Sequence, residues 1–274
     1  MRSAVKTGHR VRALGAGLAL AACALLTTGC GEDSVAEAVK DAVQTPQQKL
    51  IAAAPTTTTD PYAYSIIQKG APDQASDSKG VVNAPAKAYE LTTVTKDAEL
   101  GYTMTMEFRV VDQKSWIKVN FKNADDLGLP EIPDGWMAID PAKLKKKDGV
   151  PLKFEDQDED PARLGAMFTS IVDATEAGGG KYTGTLDYTT QTTTELIAPE
   201  TVKALGDKAK ALPFAATVTG GKVTEFVLTV PAAGPSKAQT FTATYDYGNA
   251  APLAPPTAAE SAKTPEFIYE LLNG

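Results

Sequence analysis

Alternation of apolar and polar residues dominates the chain from Pro61 onward. Tyr62, Tyr64 and Ile66 alternate with smaller residues, and Ala86 to Thr95 is a further strand candidate. Tyr102 to Val110 puts Tyr102, Met104, Met106, Phe108 and Val110 on one face and Thr103, Thr105, Glu107 and Arg109 on the other. Period-two patterning of this kind predicts an antiparallel strand that is dry on one side and wet on the other. Trp116 to Phe121 returns with Ile117, Val119 and Phe121 aligned, and Trp136 to Ile139 is a short strand. Strand signals resume at Lys181 with Tyr182, Leu186 and Tyr188. A hairpin follows, Phe214 to Thr219 and Lys222 to Val230, with Phe226 and Leu228 in its second arm and Gly220-Gly221 as the turn. Thr240 to Tyr247 carries Phe241, Ala243, Tyr245 and Tyr247 on one face.

Helical spacing is rarer. Thr45-Pro46-Gln47-Gln48 reads as a capping box and predicts a helix to Ala54. Asp140-Pro141 starts a brief helix through Lys147. Asp160-Pro161 opens a helix that runs to Gly178 and stacks Leu164, Phe168, Ile171 and Val172. Pro199 to Ala211 and a terminal segment after Thr264-Pro265 complete the set. Lys69 to Pro85, rich in Asp, Ser, Gly and Pro, reads as a long loop. The pattern predicts one α+β domain over residues 45–274, a large antiparallel sheet with a few amphipathic helices.

The N-terminus changes the picture. Arg2, Lys6, Arg10 and Arg12 precede an apolar run from Ala13 to Leu26. That run is short of the roughly 20 residues of a membrane span and has the flanks of a signal-peptide core. Two cysteines compete as the lipidated residue. Leu20-Ala21-Ala22-Cys23 is spelled more like a lipobox, whereas Cys30 follows the whole apolar run and precedes the polar Gly31-Glu32-Asp33-Ser34. Residues 1–29 are therefore read as a lipoprotein signal peptide, Cys30 as the acylation site and residues 30–44 as a tether. This places the protein on the extracytoplasmic face of the cell membrane.

Composition then narrows the chemistry. The chain carries 27 Lys and Arg against 34 Asp and Glu, a formal charge of −7. Loss of residues 1–29 removes four bases and no acid, so the mature chain is more acidic still. Such a balance argues against nucleic-acid binding, which depends on basic neutralisation of phosphates. It also leaves membrane attachment to the acyl anchor. His9, the single histidine, lies in the signal peptide. A mature chain with no histidine and one acylated cysteine has no Ser-His-Asp or Cys-His catalysis and no zinc site of the usual kinds. The reading is a binding protein, not an enzyme, with no cofactor and no metal.

Three weaker features have bland alternatives. Ser76-Asp77-Ser78-Lys79 spells Ser-x-x-Lys, but in a polar loop and without the partner motifs of that chemistry. Glu155 to Asp160 is an acid run without the glycine and ligand spacing of a calcium loop. Lys143, Lys145, Lys146 and Lys147 are a basic patch that suits a solvated face or a lipid headgroup. The Met104-Met106-Phe108 face is open to two readings, ordinary core or the adaptable wall of a lipid cavity.

Several pieces resemble a known group. Gly135-Trp136-Met137-Ala138-Ile139-Asp140, the strand–Gly-Gly–strand of Ala215 to Pro231, and the ending Phe241 to Pro256 are similar to actinobacterial LppX/LprG-like envelope lipoproteins, whose fold is similar to that of the LolA and LolB carriers. The resemblance spans roughly residues 45–256. It implies a strongly curved antiparallel sheet, a half-barrel, with helices packed on its concave face around acyl chains. It further implies binding, with transfer, of a lipid or glycolipid. Tyr102, Met104, Met106, Phe108, Ile117, Val119 and Phe121 would then line one wall. Leu186, Phe226, Leu228, Phe241 and Tyr245 would line the other, closed by Leu164, Phe168 and Ile171 of the helix Pro161 to Ala177. The rival expectation is a surface-tethered interaction module for an envelope protein partner, with a filled core.

Overall fold

The computed structural model describes residues 44–274 apart from 71–76, 98, 125–127, 148, 156–157, 192–195 and 249. The segment expected to be a signal peptide, Cys23, Cys30, the expected tether as far as Val43, and Ser76 lie outside the described residues. Helix α1 (Pro46–Ala53) begins on a complete capping box. The Thr45 hydroxyl accepts from Gln48 N, and Thr45 N donates back to Gln48 Oε1. Each bond satisfies an amide that the first helical turn leaves without a carbonyl.

Among the described residues twelve strands form one unclosed sheet: β1 (Tyr62–Lys69), β2 (Asp77–Asn83), β3 (Ala88–Lys96), β4 (Thr103–Val111), β5 (Lys114–Lys122), β6 (Trp136–Ala138), β7 (Ile171–Gly178), β8 (Lys181–Leu186), β9 (Leu212–Thr219), β10 (Lys222–Val230), β11 (Gln239–Asp246) and β12 (Ser261–Ala262). Their spatial order is β12-β6-β5-β4-β3-β2-β1-β11-β10-β9-β8-β7. Two antiparallel meanders, β1 to β6 and β7 to β11, join where β1 pairs with β11. Only β12 runs parallel to its neighbour, β6, so the sheet is mixed. At the β9–β10 turn Gly220 and Gly221 adopt φ of 57° and 75°, the positive angles of a tight hairpin.

Three expectations are corrected. Asp77–Asn83, expected as part of a loop because only Val81 and Val82 mark it as apolar, forms β2. Gly80 permits its close pairing: a Cβ there would stand 1.8 Å from the Glu90 carbonyl oxygen. The long helix from Pro161 to Ala177 is instead the short α2 (Leu164–Thr169) followed by β7. Ile171, Val172 and Thr175 are β-branched and favour the strand. Val172, assigned to the buried helical stripe, is 63% exposed. The segment after Asp140 forms only a 3-10 turn, Pro141–Lys143. Helices α3 (Pro199–Leu205), continued by a 3-10 turn to Ala211, and α4 (Glu266–Asn273) stand where the spacing put them.

The apolar face of the sheet carries two separate cores. In the first, α1 and α2 lay Leu50, Leu164, Met167 and Phe168 over β1 and β8–β11. Phe226 sits at its centre, with Phe168, Phe214 and Phe241 at ring distances of 5.6, 6.0 and 6.5 Å. In the second, Ile268 and Tyr269 of α4 cover Phe108, Ile117 and Met137. On the opposite face Arg109 pairs with Glu90 at 2.7 Å and lies 4.4 Å from the Trp136 ring. Arg109 Nη1 also donates to the Ala254 carbonyl, so the proline-rich segment after β11 crosses this face on its way to β12.

Candidate functional site

The seam between the two cores falls on β1, β2, β3 and β4. Ladder registry sets two rows there. Met106, Thr93, Ser78 and Ile66 stand opposite one another in turn, and beside them run Phe108, Leu91, Gly80 and Tyr64. Leu91 packs against both cores. The floor is therefore apolar at each end and carries two hydroxyls in the middle.

The segment leading into α2 roofs the seam. Its Phe154 N donates to the Asp112 carbonyl, and the Phe154 ring lies 6.1 Å from Tyr89. The Tyr62 hydroxyl donates to the Glu159 carbonyl oxygen. Asp160 Oδ2 accepts from Gly165 N at 2.8 Å, and Arg163 takes a left-handed φ of 55°. Between roof and floor lies a cavity of about 350 Å³ lined by Tyr64, Ile66, Ser78, Tyr89, Leu91, Thr93, Asp158, Pro161 and Arg163. Small-molecule sites span roughly 300–1,000 Å³.

Burial governs the ionisable groups around this cavity. It pushes the Asp160 carboxyl up to about 6, against the opposing bonds from Gly165 and Leu164. It raises Asp158 as well. The phenols of Tyr62, Tyr64 and Tyr89 rise for the same reason and stay protonated. Several buried polar atoms lack a hydrogen-bond partner among the described residues: Thr93 Oγ1, Asp160 Oδ1, Glu159 Oε2 and the Tyr245 hydroxyl. Such groups cost free energy unless a ligand or water completes them. No cluster of three or more metal-ligating side chains occurs among the described residues.

The residues expected to line a cavity are distributed differently. Phe108, Ile117 and Val119 are buried in the second core. Leu164, Phe168, Leu186, Phe226, Leu228, Phe241 and Tyr245 are buried in the first. Tyr102, Met104, Met106, Phe121 and Ile171 are half-buried. None of these residues is among those that line the seam cavity. Met106 comes nearest, directly across the ladder from Thr93. Val119 and Phe121 instead contribute to a larger cleft of about 720 Å³ at the β5 edge, with Glu107, Lys118, Pro130 and Pro133. Of the basic patch, Lys143 is paired with Glu266 at 2.9 Å.

Sequence reasoning missed the seam residues on β2 and β3. Ser78 and Thr93 sit at positions facing the apolar side, yet being polar they break the alternation that marks such a face. That interruption was the available signal. Compared with known protein families and with curated proteins, the chain matches none.

Proposed function

We propose that this chain is an envelope lipoprotein that binds an amphiphile at the seam. Residues 1–29 act as its signal peptide and Cys30 carries the acyl anchor, which holds the domain at the outer side of the membrane. In this reading the sheet curls into a half-barrel, and α1, α2 and α4 occupy its concave side. The observation that carries the proposal is the seam cavity, lined by the half-buried Leu91 and Thr93, with Met106 directly across the ladder from Thr93. Methionine suits such a position because its side chain adapts to varied apolar partners.

The energetics fit reversible binding. A chain of about ten methylenes gains roughly 8 kcal/mol at about 0.8 kcal/mol each. Association costs about 4 kcal/mol or more. The remainder, about 4 kcal/mol at most, corresponds to roughly millimolar affinity or weaker, compatible with taking up and releasing a lipid. Native mass spectrometry of the chain with Cys30→Ser, after exposure to envelope lipid extracts, is the test. A lipid adduct is expected; bare protein under all loading conditions overturns the proposal. The same substitution removes metabolic lipid labelling if Cys30 is the acylated residue, and retained label points to Cys23.

A second reading has its own support. The four-ring cluster around Phe226 and the buried residues under α4 leave both cores filled. On that reading the domain is a tethered interaction module whose seam holds no ligand.

A further inference from the structure

We infer that the seam accepts a single short chain bearing a neutral or cationic hydrogen-bond-donating head, and rejects two-chain lipids and carboxylate heads. This rests on the proposed amphiphile binding and narrows it. Size comes first. A cavity of about 350 Å³ holds roughly a dozen heavy atoms if each takes about the 30 Å³ of a liquid water molecule. That is one medium chain and a small head, with Ile66, Leu91 and Tyr64 as the apolar surface.

Head chemistry follows from what faces the cavity. Thr93 Oγ1 is buried without a partner and stands opposite Ser78 in the ladder. Among the described residues, the roof from Lys153 to Arg163 holds four acids, Glu155, Asp158, Glu159 and Asp160, against two bases. Lys153 already pairs with Glu155 at 3.3 Å, and the Arg163 charge acts on both Asp158 and Asp160. Asp158 lines the cavity, with one carboxylate oxygen, Oδ2, already accepting from Glu155 N at 2.7 Å, in a roof that is acidic overall. An alcohol or ammonium head donates to that carboxylate and to the Thr93 oxygen. A carboxylate or phosphate head meets like charge in a poorly solvated place, which is costly.

Isothermal titration of the full chain at pH 7 with decanol, decylamine and decanoate, each below its aggregation limit, tests this. Decanol and decylamine are expected to bind at least tenfold more tightly than decanoate. Asp158→Asn should bring decylamine and decanoate within about threefold of each other, and Thr93→Val should weaken decanol severalfold. Thr93→Val changes little volume, so it reports even if Asp158→Asn folds poorly. Decanoate binding as tightly as decanol overturns the head assignment alone. Uptake of dipalmitoyl phosphatidylglycerol overturns the one-chain limit. Heat from none of these ligands overturns this inference together with the reading beneath it.

Discussion

Asp160 offers the sharpest quantitative test of the roof over the seam. Its carboxyl is 6% exposed, with one oxygen capping α2 and the other unpartnered among the described residues. Tyr62 from β1, Tyr245 from β11 and Tyr247 just after it face it, with Glu159 and Arg163 on its own segment. Burial raises its pKa from the ordinary 3.8 to about 6. The fold therefore prefers the neutral acid. Its contribution to stability is fully present below about 3.8 and is lost as pH climbs through about 6. The loss approaches about 3 kcal/mol at neutral pH. Asp160→Asn cannot ionise, yet it keeps an oxygen for the Gly165 amide. Urea denaturation of parent and variant between pH 4 and pH 8, followed by tyrosine fluorescence and circular dichroism, measures the effect. The difference in stability between the two should shift by up to about 3 kcal/mol in favour of the variant as pH rises. Its absolute offset absorbs whatever the amide nitrogen costs in the unpartnered position, so the slope carries the test. Parallel pH profiles for the two proteins would refute the burial of this carboxyl and, with it, the docking of the roof.

Two further substitutions probe floor and core separately. Gly80→Ala drives a methyl group to within 1.8 Å of the Glu90 carbonyl and 3.0 Å of the Tyr64 ring. It should lose about 1–3 kcal/mol by urea denaturation, and an unchanged midpoint argues against the β2–β3 register. Phe226→Ala removes the ring at the centre of the first core and should cost about 3–5 kcal/mol. Decanol binding by the folded variant should persist, because Phe226 is not at the seam; selective loss of binding in a well-folded Phe226→Ala variant would move the site into that core.

Legibility from sequence depended on how strongly each segment was patterned. Strands β4, β5, β9, β10 and β11 alternate cleanly and were placed to within about two residues, the usual uncertainty at element ends. The capping box at Thr45 and the glycine pair at 220–221 spelled out α1 and a hairpin because local bonds and backbone angles alone decide them. β2 escaped because its stability comes from two neighbours and a glycine, not from its own residues. β7 was misread because Leu164, Phe168, Ile171 and Val172 also satisfy a helical stripe, and only pairing with β8 breaks the tie. The candidate cavity was the least legible feature. The apolar face was visible in Met104, Met106 and Phe108, but which part α4 and α2 cover, and where they leave a gap, depends on contacts between segments far apart in the chain.

Methyl-selective nuclear magnetic resonance of the chain titrated with decanol tests the central claim most directly. Binding at the seam predicts concerted shifts of the Ile66, Leu91 and Thr93 methyl signals, with Met106 following and Leu228 and Ile268 unmoved. Unchanged seam methyls, or shifts confined to Leu228 or Ile268 in the two filled cores, would contradict it.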